Sequence, residues 1–231
     1  MENRRLTPPI ILINFKSYVE GLGEGAVRLA RLAEDVGERL GVTVGVAPQY
    51  VDLRRVCAEC KIPVFAQHVD VPNPGAYTGS VSVDAVKDCG VAGSLLNHSE
   101  KRLRLSDLGL LVSSLRRNRL LSVVCGDTEL VSAAGAALNP DMVAIEPPEL
   151  IGTGRAVSKA RPEIVSNTVS LIKRINPNVT VLCGAGITKG EDVESALKLG
   201  AEGVLVASGV VKARDQAAAI YELAEAALKA S

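Results

Sequence analysis

Two short apolar runs near the end of the chain, Val179-Thr180-Val181-Leu182-Cys183 and Gly203-Val204-Leu205-Val206, decide the fold class. Both are rich in β-branched residues, which is typical of buried strands. Between them, Val193, Ala196 and Leu197 recur at helical spacing and line one face of a helix. A strand, a helix and a strand in this order predict two parallel strands joined by a helical crossover.

The same alternation extends back to the start of the chain. Six further strands are predicted, at residues 10–13, 42–46, 63–66, 91–96, 120–125 and 142–145. Helical segments separate the strands, and a last helix follows the eighth strand. The second helical segment, at 50–60, is short. Eight such units in 231 residues fit a fold of about 250 residues. We therefore predict an α/β protein that forms a single (β/α)8 barrel domain over residues 1–231.

An open doubly wound sheet is the alternative architecture. That fold requires a glycine-rich fingerprint after its first strand. Here the first strand is followed by Asn14-Phe15-Lys16-Ser17, which contains no glycine. The barrel is therefore the preferred interpretation.

Composition limits the class of protein. Hydrophobic residues make up 47% of the chain, enough for a sizeable core, while 26 basic and 26 acidic residues cancel and aromatic residues are only 3%. These values disfavour a dedicated nucleic-acid binder. The apolar runs are too short to span a membrane or to form a signal peptide, so we expect a cytoplasmic protein with no membrane partner.

The five cysteines are odd in number and scattered, which does not indicate a disulfide framework. Cys57 and Cys60 form a Cys-x-x-Cys pair within the predicted second helix, with no second pair nearby. We interpret them as structural residues. With only two histidines far apart, His68 and His98, the sequence offers no zinc ligand set, and we predict no metal site.

Polar residues end several of the predicted strands. In (β/α)8 barrels the active site lies at the carboxyl ends of the strands. Asn14 and Lys16 follow the first strand on one side of the chain, His98 follows the fourth and Glu146 follows the sixth. Alone, each has an ordinary explanation, such as a solvated charge, a buried histidine or a helix cap. Their predicted convergence at one edge favours a catalytic role instead.

Small residues follow the last two strands, as Gly184-Ala185-Gly186 and Ala207-Ser208-Gly209. The loops after strands seven and eight are the usual phosphate site of this fold, and small residues leave backbone N–H groups accessible to an anion. Because the net charge is zero, attraction of the phosphate must come from local placement of Lys16 and these groups.

The sixth connection has the composition of a hinged lid. Prolines at 147 and 148 follow Glu146, while Gly152 and Gly154 stand at the far end. The apolar Leu150-Ile151 pair lies at its tip. Such a lid would exclude water from a reactive intermediate, and the N–H of Gly152 could close over a phosphate.

These segments resemble the triosephosphate isomerase family, in its short archaeal form, from residue 10 to about 211. Asn14-Phe15-Lys16, Tyr77-Thr78-Gly79, Asn97-His98-Ser99-Glu100 and Glu146-Pro147 through Gly154 match the motifs of that family in order and spacing. The chain departs from the commoner long form at Pro147-Pro148-Glu149, at Cys183-Gly184-Ala185-Gly186 and at Ala207-Ser208.

The resemblance implies the TIM barrel fold and the isomerisation of dihydroxyacetone phosphate to glyceraldehyde 3-phosphate in glycolysis and gluconeogenesis, without a cofactor. It implies Glu146 as the base, His98 as the electrophile and Lys16 as the cation. The implied substrate-binding residues are Asn14, Lys16, Ile151, Gly152, Gly184, Gly186, Ala207 and Ser208. It further implies a third loop, 72–79, that inserts into a second subunit, hence a homodimer at least and, in the short form, a homotetramer.

Two alternatives remain open. Another phosphate-binding barrel enzyme, such as an aldolase, would suit the segment 198–204, but no lysine for a Schiff base lies in predicted strands four to eight. A catalytically silent barrel that only binds a sugar phosphate is the second alternative. The joint presence of Lys16, His98 and Glu146 argues against it.

Overall fold

Eight parallel strands form the centre of the protein. The structure is a computed structural model that describes residues 5–71, 74–147, 150, 152, 154 and 156–230. The strands are β1 (Ile10–Asn14), β2 (Thr43–Ala47), β3 (Phe65–Ala66), β4 (Gly93–Leu96), β5 (Leu121–Gly126), β6 (Met142–Ile145), β7 (Thr180–Cys183) and β8 (Gly203–Val206). All eight predicted strands form, with β3 the shortest.

The sheet curves into a nearly closed barrel. Its order is β2-β1-β8-β7-β6-β5-β4-β3, with every pairing parallel. A bridge between Val46 and Val64 links the two ends of this order, and the N–H of Val46 donates to the carbonyl of Pro63 at 3.0 Å. The predicted (β/α)8 barrel is thus confirmed, and the open-sheet alternative is wrong.

Helices connect the strands on the outside. They are α1 (Glu24–Leu40), α2 (Tyr50–Glu59), α3 (Val83–Asp88), α4 (Leu105–Arg117), α5 (Glu129–Ala137), α6 (Val157–Ala160), α7 (Pro162–Ile175), α8 (Gly190–Lys198), α9 (Ser208–Val211) and α10 (Gln216–Lys229), with a 3₁₀ turn at Val19–Gly21. Within the described ranges, no helix has the length and apolar character needed to cross a membrane.

The core has two layers because the side chains of a strand alternate. Ile10 and Leu12 point into the barrel, where they join Phe65, Leu95 and Leu205 among others. The alternate residues of β1 pack outward against the helices, in a second and larger cluster. This alternation carries Asn14 to the inner side at the carboxyl end of β1, as the period of two predicts.

The Cys-x-x-Cys pair lies at the end of α2, where Cys57 is partly buried and Cys60 is the C-terminal cap. All five cysteines are free thiols. Burial raises the pKa of Cys57 to about 11, so its reactive thiolate is scarce at neutral pH. Cys60 belongs to the outer hydrophobic cluster, and Cys57 packs against it.

Candidate active site

A cavity opens at the carboxyl ends of the strands, and most of the predicted site residues surround it. Asn14, Lys16, Glu146, Gly152, Gly186, Ala207 and Ser208 all line this cavity. His98 lines a second cavity that shares Asn14 and Lys16 with the first. Gly184 lines neither and packs instead beneath Glu146. Ile151 lies outside the described residues.

The turn after β1 gives Lys16 its position. Lys16 has φ of +48°, a left-handed conformation that costs about 1–2 kcal/mol for a residue with a Cβ. Its N–H donates to Asn14 Oδ1 at 2.9 Å. The side-chain amide of Gln67 donates to the carbonyls of Lys16 at 2.9 Å and Ala47 at 3.0 Å. No sequence motif indicated Gln67, whose one signal is its position as the first polar residue after the short strand β3.

The ammonium group of Lys16 forms an ion pair at the edge of the site. Its Nζ donates to Glu100 Oε1 at 2.8 Å, and the lysine side chain is only 11% exposed whereas that of Glu100 is 58% exposed. Among the described residues, Lys16 is the only cationic side chain that lines the first cavity. An anion in this cavity would therefore meet a single, largely desolvated ammonium group.

The imidazole of His98 is oriented by the backbone. The N–H of Glu100 donates to His98 Nδ1 at 3.1 Å, which makes Nδ1 the acceptor and assigns the proton of the neutral ring to Nε2. Asn97 supports the turn before it with φ of +60°. Its side chain donates to the carbonyl of Cys125 at 3.0 Å and accepts from the N–H of Leu103 at 2.9 Å.

Glu146 lies buried directly after β6. Its Oε2 has no hydrogen-bond partner within the described part of the chain and lies 3.5 Å from His98 Nε2. A Cβ at position 184 would lie 2.7 Å from Glu146 Cγ, closer than non-bonded carbons approach. Gly184 therefore makes the room that the Glu146 side chain occupies.

The charges around His98 act on its protonation in opposite directions. Burial lowers the pKa of His98, while the Glu146 carboxylate 3.5 Å away raises it, and the balance lies above the ordinary value. The hydrogen bond accepted by Nδ1 opposes protonation, because an imidazolium would direct an N–H against the N–H of Glu100. The pKa of this histidine thus depends on the charge of Glu146.

A second wall of the cavity is formed mainly by small residues. It contains Ala185, Gly186, Ala207 and Ser208 from the loops after β7 and β8. Ala185 and Gly186 both have positive φ, at +70° and +73°. Small residues here bring the main chain to the cavity surface, where N–H groups can face an anion.

Comparison with known proteins identifies the family. The profile of the triosephosphate isomerase family matches residues 9–226. A triosephosphate isomerase of Methanothermus fervidus is 54% identical over 215 residues, which is 93% of this chain and 97% of that protein. The triosephosphate isomerase of Methanocaldococcus jannaschii is 54% identical over 93% of this chain and 98% of that protein. That of Archaeoglobus fulgidus is 53% identical over 93% of this chain and 96% of that protein.

The chain belongs to the triosephosphate isomerase family. The resemblance predicted from the motifs is confirmed, together with its short archaeal form, and so is the prediction of an enzyme of the isomerase class. The family match covers the whole barrel, from the residue before β1 to a position within α10. In the residues that the structure describes, no group of three or more His, Cys, Asp and Glu side chains could hold a metal ion.

Proposed function

We propose that this protein interconverts dihydroxyacetone phosphate and glyceraldehyde 3-phosphate, as the names of its relatives indicate. One observation carries this proposal: the unpaired Oε2 of Glu146 lies 3.5 Å from His98 Nε2, beside a cavity that also contains Lys16. A base, a hydrogen-bond donor and a cation thus surround one space. Because of this reaction, the proposal includes a cytoplasmic location and a role in glycolysis and gluconeogenesis.

Glu146 is the general base of the proposed reaction. Its carboxylate takes a proton from the carbon beside the carbonyl group and returns it to the neighbouring carbon, while one hydroxyl proton moves between the two oxygens. The atoms of substrate and product are therefore the same. A general base contributes about 10²–10⁴-fold, which is insufficient for so weak a carbon acid.

The remaining acceleration requires stabilisation of the enediolate. The Nε2–H of His98 donates to the oxygen on which negative charge develops, and the ammonium of Lys16 faces the same charge. Each such donor contributes about 10²–10³-fold in comparable sites. Both groups are held in place before substrate binds, His98 by the N–H of Glu100 and Lys16 by Glu100 and Asn14. Asn14 completes this side of the substrate site.

The phosphate group binds at the second wall. Gly186, Ala207 and Ser208 line it, and Lys16 supplies the positive charge. Gly184 contributes by supporting Glu146 and not by lining this wall. Gly152 and Gly154, both with positive φ and both at the cavity, form the described part of the proposed lid, and the predicted contact of Ile151 falls outside the described residues.

We propose that the chain assembles as a homodimer at least. A groove of about 590 Å³ adjoins Lys16 and His98, and it would receive the third loop of a second copy. His68 lines this groove with a buried Nδ1 that has no hydrogen-bond partner among the described residues. A donor from the second copy would satisfy it.

A tetramer is the further proposal. Leu105 and Leu110 of α4 and Leu130 of α5 are 56%, 58% and 78% exposed, and burial of such residues between copies would stabilise a second contact. Light scattering on the unaltered protein and on Leu130→Asp tests this. A tetramer that falls to a dimer supports the proposal, and the same mass for both proteins contradicts it.

A coupled assay of glyceraldehyde 3-phosphate conversion tests the function. The unaltered protein should turn over, while Glu146→Gln should retain affinity for inorganic phosphate and lose most turnover. Turnover that survives in the variant would show that another group is the base. No turnover in the unaltered protein would leave a phosphate-binding barrel of another activity or none.

A further inference from the structure

The short helix α6, which directly follows the sixth connection, is attached to the elements after β7. The N–H of Val157 donates to the carbonyl of Ala185 at 3.3 Å. The hydroxyl of Ser158 donates to the carbonyl of Asp192 at 3.0 Å, and the hydroxyl of Ser195 donates to the carbonyl of Ser158 at 3.0 Å. The end of the sixth connection is thus fastened to the seventh loop and to α8.

Asp192 stands at the centre of this attachment. It is 5% exposed, and both carboxylate oxygens are occupied. Oδ2 accepts from the N–H of Thr188 at 3.0 Å, from its hydroxyl at 3.3 Å and from the N–H of Lys189 at 3.0 Å. Oδ1 lies 3.1 Å from Lys159 Nζ on α6. One carboxylate therefore contacts both α6 and the seventh loop.

The environment keeps this carboxylate charged. Burial raises the pKa of Asp192, but the two backbone N–H groups and the ammonium of Lys159 lower it, and the balance is below the ordinary value. An ionised, buried carboxylate with its acceptor sites filled is a rigid anchor. Its removal would leave the N–H groups of Thr188 and Lys189 without their acceptor.

The anchored loop forms part of the cavity. Thr188 lines the cavity together with Ser208 and Lys16. A Cβ at Gly209 would lie 2.7 Å from the carbonyl oxygen of Ile187 and 3.0 Å from Thr188 Cα, so the seventh and eighth loops are in direct contact. A shift of Thr188 would therefore be transmitted to both loops of the wall.

We infer that Asp192 is a positioning residue for the phosphate end of the site: it holds the end of the sixth connection and the wall formed by loops seven and eight in one fixed relation. This inference rests on the proposed function, because it assumes that the wall binds the phosphate of the substrate. Loss of the anchor should weaken the binding of phosphorylated substrates and leave the proton-transfer groups as they are.

Asp192→Asn tests this, with Glu191→Gln as the matched control. Glu191 also pairs with Lys159, at 2.8 Å, but its side chain is 79% exposed and, among the described residues, accepts no hydrogen bond from the seventh loop. We expect Asp192→Asn to raise KM for glyceraldehyde 3-phosphate about tenfold, with little change in kcat and none in kcat/KM for unphosphorylated glyceraldehyde. Glu191→Gln should leave all three constants unchanged.

Two results would overturn the inference. One is an unchanged KM in Asp192→Asn. The other is an equal loss with both substrates, which indicates general damage to the fold. If Asp192→Asn does not fold, Lys159→Met removes the ion pairs of α6 with Asp192 and Glu191 and leaves the hydrogen bonds from the seventh loop to Asp192. Since Glu191→Gln controls for the second ion pair, Lys159→Met should raise KM about threefold with the same selectivity.

The inference and the proposed function fail in different ways. If the unaltered protein has no turnover, the function fails, and the anchor is then tested through the dissociation constant of inorganic phosphate. We expect this constant to be about tenfold higher in Asp192→Asn than in the unaltered protein. Equal constants, or no phosphate binding by the unaltered protein, would overturn the inference.

Discussion

The edge formed by β1, β4 and β6 and the edge formed by β7 and β8 both border the site, but they are built from different kinds of residue. The first edge presents the side chains of Lys16, His98 and Glu146. The second presents the backbone of Gly186, Ala207 and neighbouring small residues. We call them the side-chain edge and the backbone edge.

The difference determines what each edge tolerates. At the side-chain edge, functional side chains depend on residues that follow other strands, such as Gln67 for the Lys16 turn and Gly184 beneath Glu146. At the backbone edge the chain conformation matters more than the identity of the side chain. Two of the three departures from the commoner long form, at 183–186 and 207–208, fall on the backbone edge, while the side-chain edge keeps Lys16, His98 and Glu146.

The largest expected effect comes from the cation that serves both edges. Lys16→Ala should lower kcat/KM about 10³-fold and weaken the binding of inorganic phosphate, because no other cation lines the cavity among the described residues. Steady-state kinetics and phosphate titration measure both. Lys198→Ala removes a charge from the exposed surface of α8 and should change neither. Unchanged phosphate affinity in Lys16→Ala would contradict the shared role.

A neighbouring pair of substitutions compares the two edges most directly. Gly184→Ala places a Cβ 2.7 Å from Glu146 Cγ and should lower kcat about 10²-fold by displacing the base. Ala185→Gly acts on the backbone edge at φ of +70°, where glycine is favoured, and should alter neither kcat nor Tm. If the two variants have equal kcat, the distinction between the edges is wrong.

A smaller effect is expected from the support of the Lys16 turn. Gln67→Ala removes two hydrogen bonds to carbonyl groups and should lower kcat about tenfold and the free energy of unfolding by about 1–2 kcal/mol. Kinetics and urea unfolding measure these. Gln49→Ala, at a cap without a side-chain hydrogen bond, is the control. Normal turnover in Gln67→Ala would mean that Asn14 alone holds the turn.

The smallest expected effect is a shift in the pKa of His98, at the side-chain edge. Glu146→Gln removes the negative charge that raises the pKa of His98, so that pKa should fall and the ring should remain neutral to lower pH. Glu100→Gln should lower it less, because Glu100 is more exposed. NMR titration can follow both, since the protein has only two histidines. A rise in the pKa of His98 in Glu146→Gln would contradict the expected direction.

Local patterns were sufficient to predict the barrel and the edge at which the site residues meet. The eight strands alternate with helices of clear period, and the period of two along β1 places Asn14 on the inner side with Ile10 and Leu12. These signals depend on hydrophobicity and spacing within a few residues. The role of Gly184 was harder to predict, because the sequence does not show that Glu146 packs directly above it.

The sequence by itself determined the fold, the family and the group of residues that share one edge, because hydrophobic period and motif order are properties of neighbouring residues. Only the tertiary structure decided how these residues are held. The left-handed turns at Lys16 and Asn97 are stabilised by partners 51 and 28 positions away, and Asp192 joins α6 to the seventh loop. Such contacts arise when the barrel closes, so no local pattern of residues can encode them.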